Sequence, residues 1–209
     1  MSTNPPNPDT ANQIRNRRVL ILMLLAVLAP VVLAYSLYLS GWRPQGKTLQ
    51  HGELMNPARA LPDITLRAAD GTMQPFSSLR RHWLLLSVGS LPCVEDCLAR
   101  LDMLHRLRLA QGKDMRRVEI VFVVVNGAHA ELAAFAGTHP GLQVYGGDRA
   151  TITPLIQALG ETSDSEAVAV QRVYLIDPIG NLVLRYGPDA DPRGIHKDLG
   201  RLLRLSQIG

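Results

Sequence analysis

Cys93 and Cys97 are the only two cysteines in a chain of 209 residues, and they stand in the run Gly89-Ser90-Leu91-Pro92-Cys93-Val94-Glu95-Asp96-Cys97. A spacing this close is itself evidence of a joint role. Two chemistries suit a CxxxC pair. At i and i+4 of a helix the side chains share a face, with Cα atoms roughly 6 Å apart, so the thiols can close a reversible disulfide. As thiolates, the same sulfurs can clamp one soft metal ion. The plain alternative is an inert structural disulfide, but so short a loop constrains the unfolded chain little.

The surrounding pattern places the pair at a strand-to-helix junction. His82 to Val88 (HWLLLSV) is a continuous apolar run bounded by Gly89, as expected of a strand buried on both faces. After the cysteines, Leu98, Leu101, Leu104, Leu107 and Leu109 recur at mostly helical spacing up to Gly112, predicting an amphipathic helix. Val118 to Val125 (VEIVFVVV) reads as a second buried strand, and helices are expected from about Ala130 to Ala136 and from Thr153 to Leu159.

Strand, helix, strand in that order implies a right-handed parallel crossover. Upstream, Leu61 to Leu66 followed by Asp70-Gly71 suggests a short edge strand and turn. Downstream, Arg172 to Ile176 and Leu182 to Tyr186 flank Asp177-Pro178-Ile179-Gly180, a type I turn signature, and predict a β-hairpin. Ile195 to Ile208 closes the chain as an amphipathic helix. A βαβ half followed by ββα is the order of the α/β thioredoxin-like fold, with a central sheet flanked by helices. That order sets Cys93 near a helix N-terminus, whose partial positive charge lowers a thiol pKa, while Glu95 and Asp96 oppose the effect.

Ahead of this domain, the uncharged run Val19 to Leu39 is long enough, at about 1.5 Å per residue, to cover the roughly 30 Å hydrocarbon layer of a membrane. It predicts one transmembrane helix, with Pro30 kinking it. Arg15, Arg17 and Arg18 precede the run, and Tyr35, Tyr38 and Trp42 cluster at its far end, which sets the N-terminus in the cytoplasm and the rest in the periplasm of a bacterial inner membrane. Arg43 and Lys47 soften that bias. A cleaved signal peptide fits less well because the run is too long and Ala34-Tyr35-Ser36 is a poor cleavage pattern. The expected organisation is a disordered cytoplasmic tail over 1–18, the helix over 19–39, a linker over 40–60 and a periplasmic domain over 61–209.

The net charge is +4, and removing the N-terminal arginines and Asp9 leaves about +2, too little to imply a nucleic-acid partner. The cluster Arg106, Arg108, Lys113, Arg116 and Arg117 reads most simply as a solvated helix end and loop. The sequence contains no repeat, phosphate-binding glycine motif, double CxxC or serine nucleophile elbow.

Taken together, the anchor, the CxxxC pair, the strand Val118 to Val125 and the stretch Tyr174-Leu175-Ile176-Asp177-Pro178-Ile179-Gly180 resemble the Sco family over roughly Leu61 to Leu205. That resemblance implies a membrane-anchored thioredoxin-like protein assisting assembly of the copper centre of cytochrome c oxidase. It also implies Cys93 and Cys97 as catalytic or copper-binding residues and an oxidase subunit, or another periplasmic thiol protein, as partner. The family's third copper ligand is a histidine shortly before the hairpin tyrosine, but here the stretch is Glu166-Ala167-Val168-Ala169-Val170-Gln171. Thioredoxin's cis-proline is missing from that stretch too, and Leu98 follows Cys97 where Sco proteins commonly have proline.

As a substitute ligand, His105 and Met103 lie too far along the helix from Cys97. His129 sits just past the second strand, on the rim that carries Cys93, and is the one plausible replacement; His139 is a lesser candidate. Without the third ligand the mechanism tilts from Cu(I) delivery to thiol-disulfide exchange, with Cys93 attacking and Cys97 resolving. A general periplasmic thiol-disulfide oxidoreductase and a non-catalytic scaffold for an oxidase subunit are the competing readings.

Overall fold

The computed structural model describes residues 8–40, 50–160 and 171–206. Two compact units divide the chain, 1–48 and 49–209. The first is a single helix, α1 (Pro8–Leu39), with Pro30 inside it. Its stretch Arg17–Leu39 is long and apolar enough to cross a membrane, and its side chains are exposed rather than packed against protein. The helix begins earlier than expected, so residues 8–18 of the predicted tail are its first turns. A helix already nucleated by the apolar run extends into polar residues with little further cost. Residues 1–7, Trp42, Arg43 and Lys47 lie outside the described part.

The second unit is built on one eight-stranded sheet in the order β1-β8-β7-β4-β5-β6-β2-β3. Its centre is β4 (Trp83–Gly89), β5 (Val118–Val125) and β6 (Leu142–Gly147), all parallel. The crossovers run through α2 (Asp96–Leu109) and α3 (His129–Thr138). On the other side of β4, β7 (Val173–Ile176) pairs antiparallel, followed by β8 (Asn181–Tyr186).

Alternation within the central strands builds the two cores. Leu84, Leu86, Val121 and Val123 pack on one face with Ile152, Leu155 and Ile156 of α4 (Arg149–Ala158). Trp83, Leu85, Ile120, Phe122 and Val124 pack on the other with Leu101, Leu104 and Leu107 of α2 and Ile195, Leu199 and Leu203 of α5 (Pro192–Leu205). Burial on both faces is why these strands read as unbroken apolar runs. The predicted hairpin is present, and its turn closes by a hydrogen bond from the Gly180 N–H to the Asp177 carbonyl at 3.0 Å.

Several boundaries move. The chain over 53–60, expected as linker, is the edge strand β1 (Glu53–Ala60), antiparallel to β8 with a register shift between Leu54 and Arg59. Pro57 is tolerated there because an edge strand at an irregularity can spare an N–H. The strand expected at Leu61–Leu66 is displaced to the hairpin β2 (Thr65–Ala68) and β3 (Met73–Pro75). β6 is a strand with no counterpart in the sequence reading. Helices α4 and α5 begin a few residues earlier than expected because Asp148 and Asp191 cap them, accepting from the N–H groups of Thr151 (2.7 Å) and Arg193 (2.9 Å).

One buried carboxylate ties β1 to the end of the domain. Asp198 of α5, only 2% exposed, accepts hydrogen bonds from the backbone N–H groups of His51 (2.7 Å) and Gly52 (3.2 Å) and from the Tyr186 hydroxyl (3.3 Å). His51 Nδ1 lies 3.2 Å from its other oxygen. Burial, reinforced by the Asp198 charge and hydrogen bond, pushes the Tyr186 hydroxyl pKa far up.

Candidate redox site at the end of the first central strand

β4 delivers the chain to the site through Gly89, where any side chain would run into the Phe122 ring, a Cβ there falling 2.7 Å from Cε2. The following turn brings Cys93 and Cys97 together as a disulfide, with Cα atoms 5.4 Å apart. The two cysteines are not equivalent. Cys93, 9% exposed, belongs to the core shared by α2, α5 and one face of the sheet, whereas Cys97 is only partly buried at its edge.

The helix start differs from the expectation. α2 begins at Asp96, with Glu95 at its N-cap position and no side-chain capping hydrogen bond, so Cys93 lies before the helix and the pair does not occupy i and i+4 of one helix. Cys97 is the second helical residue, and its N–H donates to the Val94 carbonyl at 2.8 Å. It is therefore Cys97 that sits inside the first turn, where the helix dipole acts most directly. Glu95 adopts φ 26° and ψ −92°, a sparsely populated backbone conformation for a residue with a side chain.

Two exposed apolar side chains flank the disulfide among the exposed acids Glu95 and Asp96. Val94 is 63% and Leu98 40% exposed. These flanking side chains escaped the sequence reading because helical spacing assigns Leu98 to the buried face. The charges of Asp96 and of the half-buried Arg100 one turn on complete the rim. Burial holds the Arg100 pKa below the usual guanidinium range, and Asp96 opposes that shift. A groove of about 420 Å³ starts at Leu98 and is lined by Leu101, Asp102, His105, Ile120, His139 and Leu142.

The candidate third ligands do not join the sulfurs. His129 is the first residue of α3, and its ring lies over the β2–β3 turn, 3.0 Å from where a Cβ of Gly71 would be. β2 stands three strands from β4, about 14 Å away at the usual strand spacing. His139 Nδ1 lies 2.9 Å from the Phe135 carbonyl, and its ring stacks on Phe135 with centroids 4.1 Å apart. Among the described residues, no three His, Cys, Asp or Glu side chains form a metal-binding group. Residues 166–170 of the stretch where the Sco histidine would fall lie outside the described part. Two thiolates, released on reduction, are thus the soft donors that the site brings together, and a three-ligand copper set does not fit the described residues.

Solved structures with this architecture include Arabidopsis thaliana ScoI with copper bound, at TM-score 0.59 and 19% identity over 70% of this chain and 99% of that one. Bradyrhizobium japonicum ScoI with copper bound follows at TM-score 0.53 and 22% identity, covering 68% and 98%. BsSco, a member of the Sco family of cytochrome c oxidase assembly proteins in which a disulfide switch was identified, gives TM-score 0.58 and 17% identity, covering 74% and 98%. At these identities the likeness is one of fold. No curated protein sequence matches the chain. The family described as transmembrane-like, thioredoxin-like, C-terminal domain matches residues 83–206, more than half of the chain and the whole stretch from β4 through the cysteines to the end of α5, and the chain belongs to that family.

Proposed function

We propose that this protein is a membrane-anchored thiol-disulfide exchange factor that assists assembly of the copper centre of cytochrome c oxidase. The observation that carries this reading is the Cys93–Cys97 disulfide at the β4–α2 junction, with one sulfur partner in the core and the other in the first helical turn. The fold shared with copper-bound Sco proteins and with the disulfide switch of BsSco supports it. The anchor is α1, with Arg17 and Arg18 on the cytoplasmic side and the thioredoxin-like domain in the periplasm of a bacterial inner membrane.

In the reduced protein, the Cys97 thiolate attacks one sulfur of a partner disulfide, and the partner's other sulfur leaves as a thiolate. Cys93 then loses its proton and attacks Cys97 Sγ, which re-forms the internal disulfide and releases the partner's second thiolate. Two electrons pass to the partner, leaving its cysteines ready for copper. A separate dithiol donor restores the reduced pair. This order reverses the roles expected from sequence, because α2 starts later than the spacing suggested. A buried thiol is disfavoured as a thiolate, whereas one in a helix's first turn is favoured.

The test is trapping. The Cys93→Ser variant should accumulate a mixed disulfide with a peptide carrying an internal disulfide between two cysteines, and Cys97→Ser should not. The opposite pattern would refute the role assignment, and no adduct with either variant would refute exchange itself.

A second reading, Cu(I) delivery by the two thiolates, draws on the copper held by the neighbouring structures. Titrating the reduced chain with Cu(I) against a competing chelator separates the two. Tight binding at one ion per chain, lost in the double serine variant, would make copper the cargo.

A further inference from the structure

A group of basic side chains that the redox site leaves unused gathers on one face of the domain. The segment 112–117 (GKDMRR), which follows α2, packs beside the last turns of α5. Arg117 fixes the two, donating to the Leu203 carbonyl at 2.8 Å and the Ser206 carbonyl at 2.7 Å. Gln111 Nε2 adds a contact to His196 Nδ1 at 2.9 Å.

Between these segments runs a groove of about 760 Å³ lined by Lys113, Arg117, Lys197, Arg201 and Arg204. Among the described residues the one carboxylate lining it is Asp114, already paired with Arg117 at 3.3 Å. Lys113, Arg116, Lys197 and Arg204 have no carboxylate partner among the described residues. Beside the cations stand apolar side chains that the fold leaves in solvent: Leu205 is 77%, Leu109 52% and Met115 38% exposed.

Four cations without carboxylate partners among the described residues, Lys113, Arg116, Lys197 and Arg204, beside exposed Leu and Met, are what an interfacial membrane-binding surface requires. Phosphate groups meet the Lys and Arg heads while the apolar side chains enter the acyl boundary. The covalent chain makes such contact easy to reach. The last residue of α1 is Leu39, and the described part of the domain begins at Gln50, so the connecting residues reach at most about 40 Å when fully extended. Tethering at that range replaces a bimolecular encounter with a high effective concentration of headgroups. We infer that the face formed by residues 111–117 and 197–206 docks on anionic phospholipid headgroups of the membrane that holds α1. This inference does not rest on the cysteine chemistry.

The experiment uses the full chain in nanodiscs of phosphatidylcholine alone or mixed with phosphatidylglycerol, with amide hydrogen exchange as the readout. The anionic discs are expected to slow exchange several-fold over 111–117 and 197–206 and to leave β4 and β5 unchanged. High salt should abolish the slowing, and so should the variant Lys113→Glu/Lys197→Glu/Arg204→Glu, in which unchanged β4 and β5 exchange reports an intact fold. Equal exchange in the two discs would overturn the inference and leave the face to an acidic protein partner. It would also fall if slowing persisted in the triple variant, or if glycerol phosphate added to phosphatidylcholine discs reproduced it, which would assign the groove to free anions.

Discussion

Reducing the Cys93–Cys97 bond is expected to cost about 2 kcal/mol and to leave the domain folded. The bond joins residues at a sequence separation of 4, and closing a loop of about five residues removes roughly 7 cal/mol/K of chain entropy from the unfolded state, or about 2 kcal/mol at 25 °C. The folded side of the balance changes little, because a reduced Cys93 packs as a small apolar side chain in the core it already occupies. Neither core needs the bond, since β4 and β5 are buried on both faces by residues from α2, α4 and α5.

For a chain of this size the cost corresponds to a fall in melting temperature of about 4–8 °C. The assay is thermal unfolding of the detergent-solubilised chain, with and without a phosphine reductant, followed by near-ultraviolet circular dichroism. The Cys93→Ser/Cys97→Ser variant should melt with the reduced protein. A reduced chain that loses its near-ultraviolet signal at 25 °C, or melts more than about 15 °C lower, would refute the reasoning. The bond would then be structural, and a pair that cannot open without unfolding the protein cannot cycle.

Alkylation of the reduced protein at neutral pH should modify Cys97 well before Cys93, as mass spectrometry of the modified peptides would show; equal rates would contradict the asymmetry of burial. Asp198→Ala should cost about 3 kcal/mol by stranding the His51 and Gly52 N–H groups, and hydrogen exchange should find β1 released while β5 stays protected. Asp63, Asp70 and Asp148 are held below the ordinary carboxylate value of 3.8, by hydrogen bonds from Ser77, Thr72 and Thr151 respectively. Because these pKa values are depressed in the fold, their stabilising contribution is complete above that value and is lost as pH falls through the folded pKa. Denaturant midpoints should therefore fall below about pH 4, and Asp148→Asn should flatten that dependence. The neutral Tyr186 hydroxyl, its pKa raised by burial, contributes stability that is complete below the ordinary phenol value of 10.0 and is lost as pH rises beyond it. Tyr186→Phe should then weaken the alkaline loss of stability, read from the same midpoints.

Some of this was legible in the chain because the information is local. A run such as VEIVFVVV has one stable use in a soluble domain, a strand covered on both faces, and Val118–Val125 takes it. Asp177-Pro178-Ile179-Gly180 carries its own turn geometry in a fixed proline φ and a glycine at φ 96°. The paired cysteines and the run Val19 to Leu39 are likewise statements about spacing and composition alone. Other features are settled by partners distant in sequence. β1, with Pro57 and an almost wholly exposed pattern, has no strand signature and exists because β8 offers an unpaired edge and Asp198 fixes His51. β6, to which the sequence reading assigns no element, is a strand because β5 and β2 pair with it.

By itself, then, the sequence determined that two thiols share a strand-to-helix junction in a thioredoxin-like domain that follows an apolar helix. Only the tertiary structure decided which cysteine faces solvent, that His129 lies over the β2–β3 turn away from the sulfurs, and that the cations of α5 meet those of 112–117 across one groove. The physical reason is one of range. Periodicity and spacing act over a few residues, whereas burial, ligand geometry and the summation of charge depend on which distant segments the sheet order brings into contact.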